Sequence, residues 1–407
     1  MKVDRRLKIG FLNSLVAQNS ERGSWTIANS YMAQALQSHC GDVTYIEPIH
    51  LPELKLDRRL REVTKLLLRK NLMLYHSFFV AKRYANVLNK RLAHSNFDLI
   101  FAPVGWTETA LLKTDIPVVL LEDANYAVLH DYYSDFSNLL SISHHQASVL
   151  AHMALSKASL LIYPSQWGAD SAVKNYPVSE EKVHVVPFGA NIDNPPSTKV
   201  ALGRKRSDSC RLFFVGVDWS RKGGEIAFET LLKLEEEQGI RAELIICGCV
   251  PPRSFLHERM RVIPYLNRKD TVQCRELERL YETADFFFLP TRNECYGFVF
   301  CEASSFGLPS IATDTGGVSG AVTNGENGYL LPPAARGSEY AELIARVYRD
   351  KQGYAILVKS TRATFETRLN WDAWGIVVSK LIHEMMERRE KTSDEVRQEE
   401  FFGNQLF

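Results

Sequence analysis

Two glutamates, Glu294 and Glu302, stand eight positions apart in the otherwise largely apolar stretch RNECYGFVFCEASSFGLP, residues 292 to 309. An ionised carboxylate only accepts hydrogen bonds, so two of them at this spacing suit a ligand that carries hydroxyl groups. Gly297 lies between them. Lacking a Cβ, it lets a ligand come close to the backbone, and the N–H groups opening the helix that follows form a site for phosphate. Acceptors on both sides of a phosphate site fit a molecule with hydroxyls at its ends and phosphates in its middle, and a nucleotide-sugar is built that way. The plainer alternative makes Glu294 a helix-start carboxylate favoured by the dipole and Glu302 a solvated helix residue.

Upstream, in RLFFVGVDWSRKGGEIAFETL, the cations Arg221 and Lys222 precede Gly223 and Gly224 at a strand-to-helix turn. There they can reach a pyrophosphate while the backbone stays close, although a solvated basic turn reads equally simply. TDTGGVSGAV repeats the pattern of strand, glycine pair (Gly316, Gly317) and expected helix, with a tight turn as the alternative. Cys247-Gly248-Cys249 closes an apolar run without a second ligand pair at zinc spacing, and no Asp-x-Asp pair follows a strand in this half. Neither a metal nor another cofactor is therefore expected. A Ser-His-Asp or Cys-His constellation for nucleophilic catalysis is not evident either.

The elements that must position these residues alternate short apolar runs with helix-like stretches, the pattern of parallel sheets covered by helices. The first-half strands are KIGFL, VTYIE, DLIFAPV, PVVLLED, LLIYPS and VHVVPF; the second-half strands are RLFFVGV, AELIICG, RVIPY, DFFFLP, PSIATD and GYLLPP. Between the halves, NIDNPPSTKVALGRKRSDSC is rich in Pro, Ser and charge and reads as a connector. The expected organisation is an N-terminal α/β domain over 1–198, a linker over 199–209, a second α/β domain over 210–368, and a C-terminal helix with a charged tail over 369–407 that packs back toward the first domain. Open α/β sheets bind ligands beyond the carboxyl ends of their strands, so a cleft between two facing domains is the expected site.

A chain of 407 residues suits two cores rather than one, and 24 % charged residues with a net charge of +1 give no reason to expect a nucleic-acid partner. Seven scattered cysteines do not make a disulfide framework in a chain of this length, and a reducing cytoplasm fits them. No window reaches the roughly 18 apolar residues of a membrane span, and the basic N-terminus runs straight into a strand without a cleavage-like region.

With these motifs in place, the second half resembles the nucleotide-binding domain of family-4 retaining glycosyltransferases, which have the GT-B fold of two facing Rossmann-like domains. Their paired-glutamate motif is similar to Glu294 through Glu302. Their Glu-Ala, Gly-x-Pro and Gly-Gly elements match Glu302-Ala303, Gly307-Leu308-Pro309 and Gly316-Gly317, and their Lys-Gly matches Lys222-Gly223. The first-half segment ending VVPFGANID is similar to the family's last strands before the linker. The resemblance implies a metal-independent enzyme that transfers a sugar from a nucleotide diphosphate donor to a hydroxyl acceptor, which could be a glycan, a lipid-linked compound or a small molecule. It further implies that Lys222 and Arg221 neutralise the donor diphosphate, Glu302 holds the ribose, and Glu294 with the backbone of Gly297, Phe298 and Val299 holds the sugar. Gly23 and Ser24 stand where the family has a glycine-rich loop facing the phosphates. Three departures accompany it: Gly216 is followed by Val217 rather than arginine, so that Arg221 stands in; Gly320 takes the place of a glutamate; and the family's histidine near the sugar has no direct counterpart. Of Glu122, Asp123 and His130, Asp123 ends the strand directly and is assigned that role. A GT-B epimerase or sugar phosphorylase, and a non-catalytic subunit that only binds nucleotide-sugar, are the other readings.

From Glu53 to Arg91 there are eleven Lys or Arg against three Asp or Glu, interleaved with leucines. A basic amphipathic helix here could lie on an anionic membrane, or pack on its own domain with a solvated basic face.

Overall fold

The computed structural model describes residues 6–12, 24–204 and 208–403, without the side chains of Ser24, Glu53, Arg58 and 392–403. It divides into two compact units. Unit 1 comprises Met1–Tyr163, Ala169–Val186 and Trp374–Phe407; unit 2 comprises Pro164–Gly168 and Pro187–Ala373.

All twelve expected strands form. In unit 1 they are β1 (Leu7–Leu12), β2 (Gly41–Ile46), β3 (Leu99–Pro103), β4 (Val118–Leu121), β5 (Leu160–Tyr163) and β6 (Val183–Val185), in the order β2-β1-β3-β4-β5-β6. In unit 2 they are β7 (Cys210–Val215), β8 (Ala242–Cys247), β9 (Met260–Ile263), β10 (Phe286–Leu289), β11 (Ser310–Thr313) and β12 (Gly328–Leu331), in the order β12-β11-β10-β7-β8-β9. Every pairing is parallel. Each residue of β3, β4, β5, β10 and β11 is buried, because helices cover both faces of a parallel sheet. In unit 2 the order reverses between β7 and β10, whose register pairs Phe286 with Leu212 and Phe287 with Phe213. That reversal opens a crevice beyond the carboxyl ends of these two strands.

Unit 1 is completed by residues distant in sequence. The Trp374 ring meets Phe101 of β3 edge-on at 6.0 Å, Ser379 Oγ donates to the carbonyl of His39 at 2.7 Å, and Arg389 donates to that of Asp115 at 3.1 Å. Trp374, Val378, Ile382 and Met385 are buried.

Two sequence expectations need correction. The basic stretch is not one helix: α1 (Ser24–His39) and β2 are followed by α2 (Asp57–Leu68) and α3 (Phe78–Leu92), separated at Arg69, whose φ of 52° takes the chain out of the helix. The second concerns the helix expected after Gly316-Gly317, which is a single turn of 3-10 helix, Val318–Gly320. Side chains capture the carbonyls that a longer helix would use: Arg368 donates to Gly320 O at 2.9 Å and Asn327 to Ala321 O at 2.8 Å.

Candidate functional site

The loops after β7, β10 and β11 interlock over the crevice of unit 2. Gly223 has φ of 77°, and a Cβ there would stand 1.8 Å from the carbonyl oxygen of Pro290, so only glycine lets the β7 and β10 loops pass this closely. The Arg292 amide then donates to Arg221 O at 2.8 Å, and the Arg221 guanidinium returns a bond to Asn293 O at 3.0 Å. From the third loop, the Gly317 amide donates to Glu294 O at 3.1 Å, and a Cβ on Gly317 would lie 1.9 Å from Cys295 O.

This knot brings Lys222 and Glu294 together. The Lys222 ammonium donates to Glu294 Oε2, both side chains are buried, and Arg221 Nη1 stands 3.9 Å from the same oxygen. Two residues that the sequence reading gave to different parts of a ligand are thus ion-paired with each other.

Glu302, at 2 % exposure, sits in the helix Phe298–Ser305. Arg268 clamps it with both terminal nitrogens, Nη1 reaching Oε1 at 2.9 Å and Nη2 reaching Oε2, while the Tyr281 hydroxyl donates to Oε2 at 2.9 Å. Arg268 is itself tied to Asn191 O at 3.1 Å. Burial, then the Glu302 charge, holds the Tyr281 phenol well above its ordinary range, so it stays a donor. For Arg268, burial pulls the guanidinium down, but the Glu302 charge and hydrogen bonds outweigh it and the net is upward. The solvated-helix alternative for Glu302 is therefore incorrect. Arg268 and Tyr281 are the residues sequence reasoning missed. A cation in the loop after β9 was the available signal, by the same argument that singled out Arg221 and Lys222.

The other candidates fall as follows. Gly297 adopts φ of 91° and a Cβ there would meet the Phe300 ring at 2.7 Å, so the turn itself requires glycine. The Phe298 ring stacks on Phe188 at 5.1 Å and a 12° interplanar angle, which leaves its backbone as the part suited to a ligand; Val299 is half-buried. Gly316 has φ of 55°. Gly23 lies outside the described residues, and Ser24 is the first residue of α1. Asp123, in unit 1, is half-buried just beyond β4. Its neighbour Glu122 is fully buried, its amide donates to Ile162 O at 3.0 Å, and neither carboxyl oxygen has a hydrogen-bond partner among the described residues. Burial, then the charges of Asp123 and Glu108, push that carboxyl well above the usual range, while Asp123 is the one of the two better placed for solvent. Among the described residues, no group of three or more His, Cys, Asp or Glu could hold a metal ion.

Residues 29–194 match the family described as Glycosyltransferase Family 4, and residues 209–350 match the family described as Glycosyl transferases group 1. A D-inositol 3-phosphate glycosyltransferase from Xylanimonas cellulosilytica is 26 % identical over 259 residues, covering 58 % of this chain and 59 % of that protein. The chain spans less than two thirds of the length of the curated relatives it matches. Among solved structures, sucrose-phosphate synthase from Thermosynechococcus elongatus superposes with a TM-score of 0.68 at 17 % identity, over 94 % of this chain and 100 % of that one. Anabaena HepE, solved with UDP and glucose, gives 0.61 at 16 % identity, over 93 % and 100 %. The fold class is α/β of the GT-B type.

Proposed function

We propose that this chain, which belongs to the family-4 glycosyltransferases of group 1, transfers a sugar from a nucleotide diphosphate donor to a hydroxyl acceptor with retention at the anomeric carbon. The observation that carries the reading is the Lys222–Glu294 pair at the β7/β10 switch point, flanked by Arg221 and by the start of the Phe298–Ser305 helix. Donor binding exchanges partners: the diphosphate takes Lys222 and Arg221, and Glu294 is released toward the sugar. As the bond from C1 to the leaving phosphate oxygen breaks, negative charge grows on that oxygen beside the two cations, and positive charge grows on the sugar beside Glu294. The leaving phosphate oxygen takes the proton of the acceptor hydroxyl, whose oxygen forms the new bond to C1, so no protein nucleophile is used. Glu302, held by Arg268 and Tyr281, presents a fixed acceptor to the ribose. The backbone of Gly297, Phe298 and Val299 and the Gly316-Gly317 turn line the donor. The cations supply the charge that a metal supplies elsewhere, so no cofactor enters the reading.

Seven free thiols, six of them buried, support a cytoplasmic setting. Among the described residues, no helix is long and apolar enough to cross a membrane. A phosphorylated cyclitol belongs in the acceptor panel because relatives carry inositol phosphate in their names.

The test is thermal unfolding with UDP-, GDP- and ADP-sugars, followed by transfer with the donor that binds and by NMR assignment of the product anomer. One donor should raise Tm by mass action, and the product should keep the donor's configuration with EDTA present. An inverted product, or turnover lost in EDTA and restored by magnesium or manganese, would overturn the corresponding part; no binding and no transfer across the panel would overturn the whole.

A further inference from the structure

The outward face of α2 is apolar and unpartnered. None of its described side chains is buried, and Leu66, Leu67 and Leu68 are 81 %, 72 % and 58 % exposed. Leu56, Leu60 and Val63 are exposed as well. On a helix of 3.6 residues per turn, Leu60, Val63 and Leu67 fall on one stripe with Leu56 ahead of it, and Leu66 widens that stripe on the side away from Asp57, Arg61 and Thr64. Those three are the half-buried residues, and that side is tied down by Arg61 to Asp135 at 3.3 Å and by the Leu74 amide, which donates to Asp57 Oδ1 at 3.3 Å, with Arg61 and Asp57 braced against each other within the helix at 3.2 Å. Leu68, in the last turn, falls on that side but stays exposed; the rest of the helix is anchored by its polar side and shows its apolar side to solvent, the reverse of an ordinary surface helix.

Its neighbour α3 does the ordinary thing, burying Val80, Ala81, Tyr84, Ala85, Leu88 and Leu92. The difference is not one of composition, since both helices are basic and amphipathic. It concerns what covers the apolar side.

We infer that α2 is an interfacial helix that seats unit 1 on an anionic lipid surface. Arg59 stands between Leu66 and Val63 around the helix, exposed Lys55 precedes it, and Lys65, Arg69 and Lys70 are exposed toward its C-terminal end, with Glu62 exposed as well. Leucines flanked by cations match a bilayer in both respects, apolar side chains entering the acyl boundary while long basic side chains reach the headgroups. A second copy of the chain fits less well, because a two-fold contact through this face would bring the same cations against each other. The inference is independent of the transferase reading.

The experiment is co-sedimentation of the full chain with phosphatidylglycerol–phosphatidylcholine vesicles and with phosphatidylcholine vesicles, for the native protein and for the double substitution Leu66→Ser, Leu67→Ser. The native chain should pellet with the anionic vesicles, bind phosphatidylcholine far less, and be released by salt, which screens exposed charges over about 8 Å at physiological ionic strength. The double substitution should lower partitioning by roughly 10²-fold, given the apolar area of two leucines, with Tm unchanged because both side chains are exposed. Lys55→Glu with Arg59→Glu should weaken anionic binding and leave the phosphatidylcholine background as it was. Failure of the native chain to pellet, equal binding by the leucine variant, or a concentration-dependent dimer dissolved by that variant would each overturn the inference.

Discussion

Glu294 and Glu302 are the same residue type eight positions apart, yet their surroundings differ in kind. Glu294 sits on a loop and takes its main partner, Lys222, from another loop 72 residues away. Glu302 sits in a helix, and a bidentate arginine and a tyrosine occupy both of its oxygens. A single ammonium is a partner that a ligand's phosphate can take over, whereas a planar two-nitrogen clamp fixes a carboxylate's orientation. On the proposed function, the contrast separates a carboxylate that changes partners from one that keeps them.

The largest expected effect belongs to the clamp. Arg268→Ala leaves a buried Glu302 carboxylate with only the Tyr281 hydroxyl, and should destabilise the protein by about 3–4 kcal/mol, seen as a fall in Tm and in the denaturant midpoint. Lysine at the same position should recover only part of that loss, because it cannot make the fork. An unchanged Tm for the alanine variant would erase the distinction between the two glutamates.

Next comes Glu294→Gln. Loss of a carboxylate beside the carbon that becomes positive should reduce kcat about a hundredfold, roughly 2.7 kcal/mol, with a smaller change in donor affinity. Poor donor binding with normal turnover at saturation would show that Glu294 is the ground-state anchor and reverse the comparison. The smallest of the three is Lys222→Ala, which should weaken nucleoside diphosphate binding by about 2 kcal/mol while leaving nucleoside binding nearly as it was. Calorimetric titration of both ligands decides it, and an equal loss for both would move the lysine away from the phosphates.

Much of the frame was legible in the sequence for a simple reason: strands buried on both faces must be apolar throughout, and FFFL and LLIY, short apolar runs flanked by turn residues, fit that need. The candidate site residues could be picked out because they follow strands in loops with glycine. Their pairing was not. Lys222 meets Glu294 only because β7 and β10 are neighbours in the sheet, a fact of strand order that no local pattern states. Arg268 escaped for the same reason, since its meaning lies in a helix 34 residues on. The basic stretch shows the limit differently: α2 and α3 have the same kind of pattern, and only tertiary packing decides which apolar side finds a core.

The interleaved chain path imposes an order of events on synthesis. Apart from Pro164–Gly168, unit 2 is a continuous run, Pro187–Ala373, whereas unit 1 draws its last piece from Trp374 onward. On the ribosome β1 through β6 emerge first, but Phe101 has no Trp374 to meet and the His39 carbonyl no Ser379 until the final helix is made. The unit translated first is thus the one that receives its last core residues last, and during that interval its core lacks Trp374 and stays open to other partners.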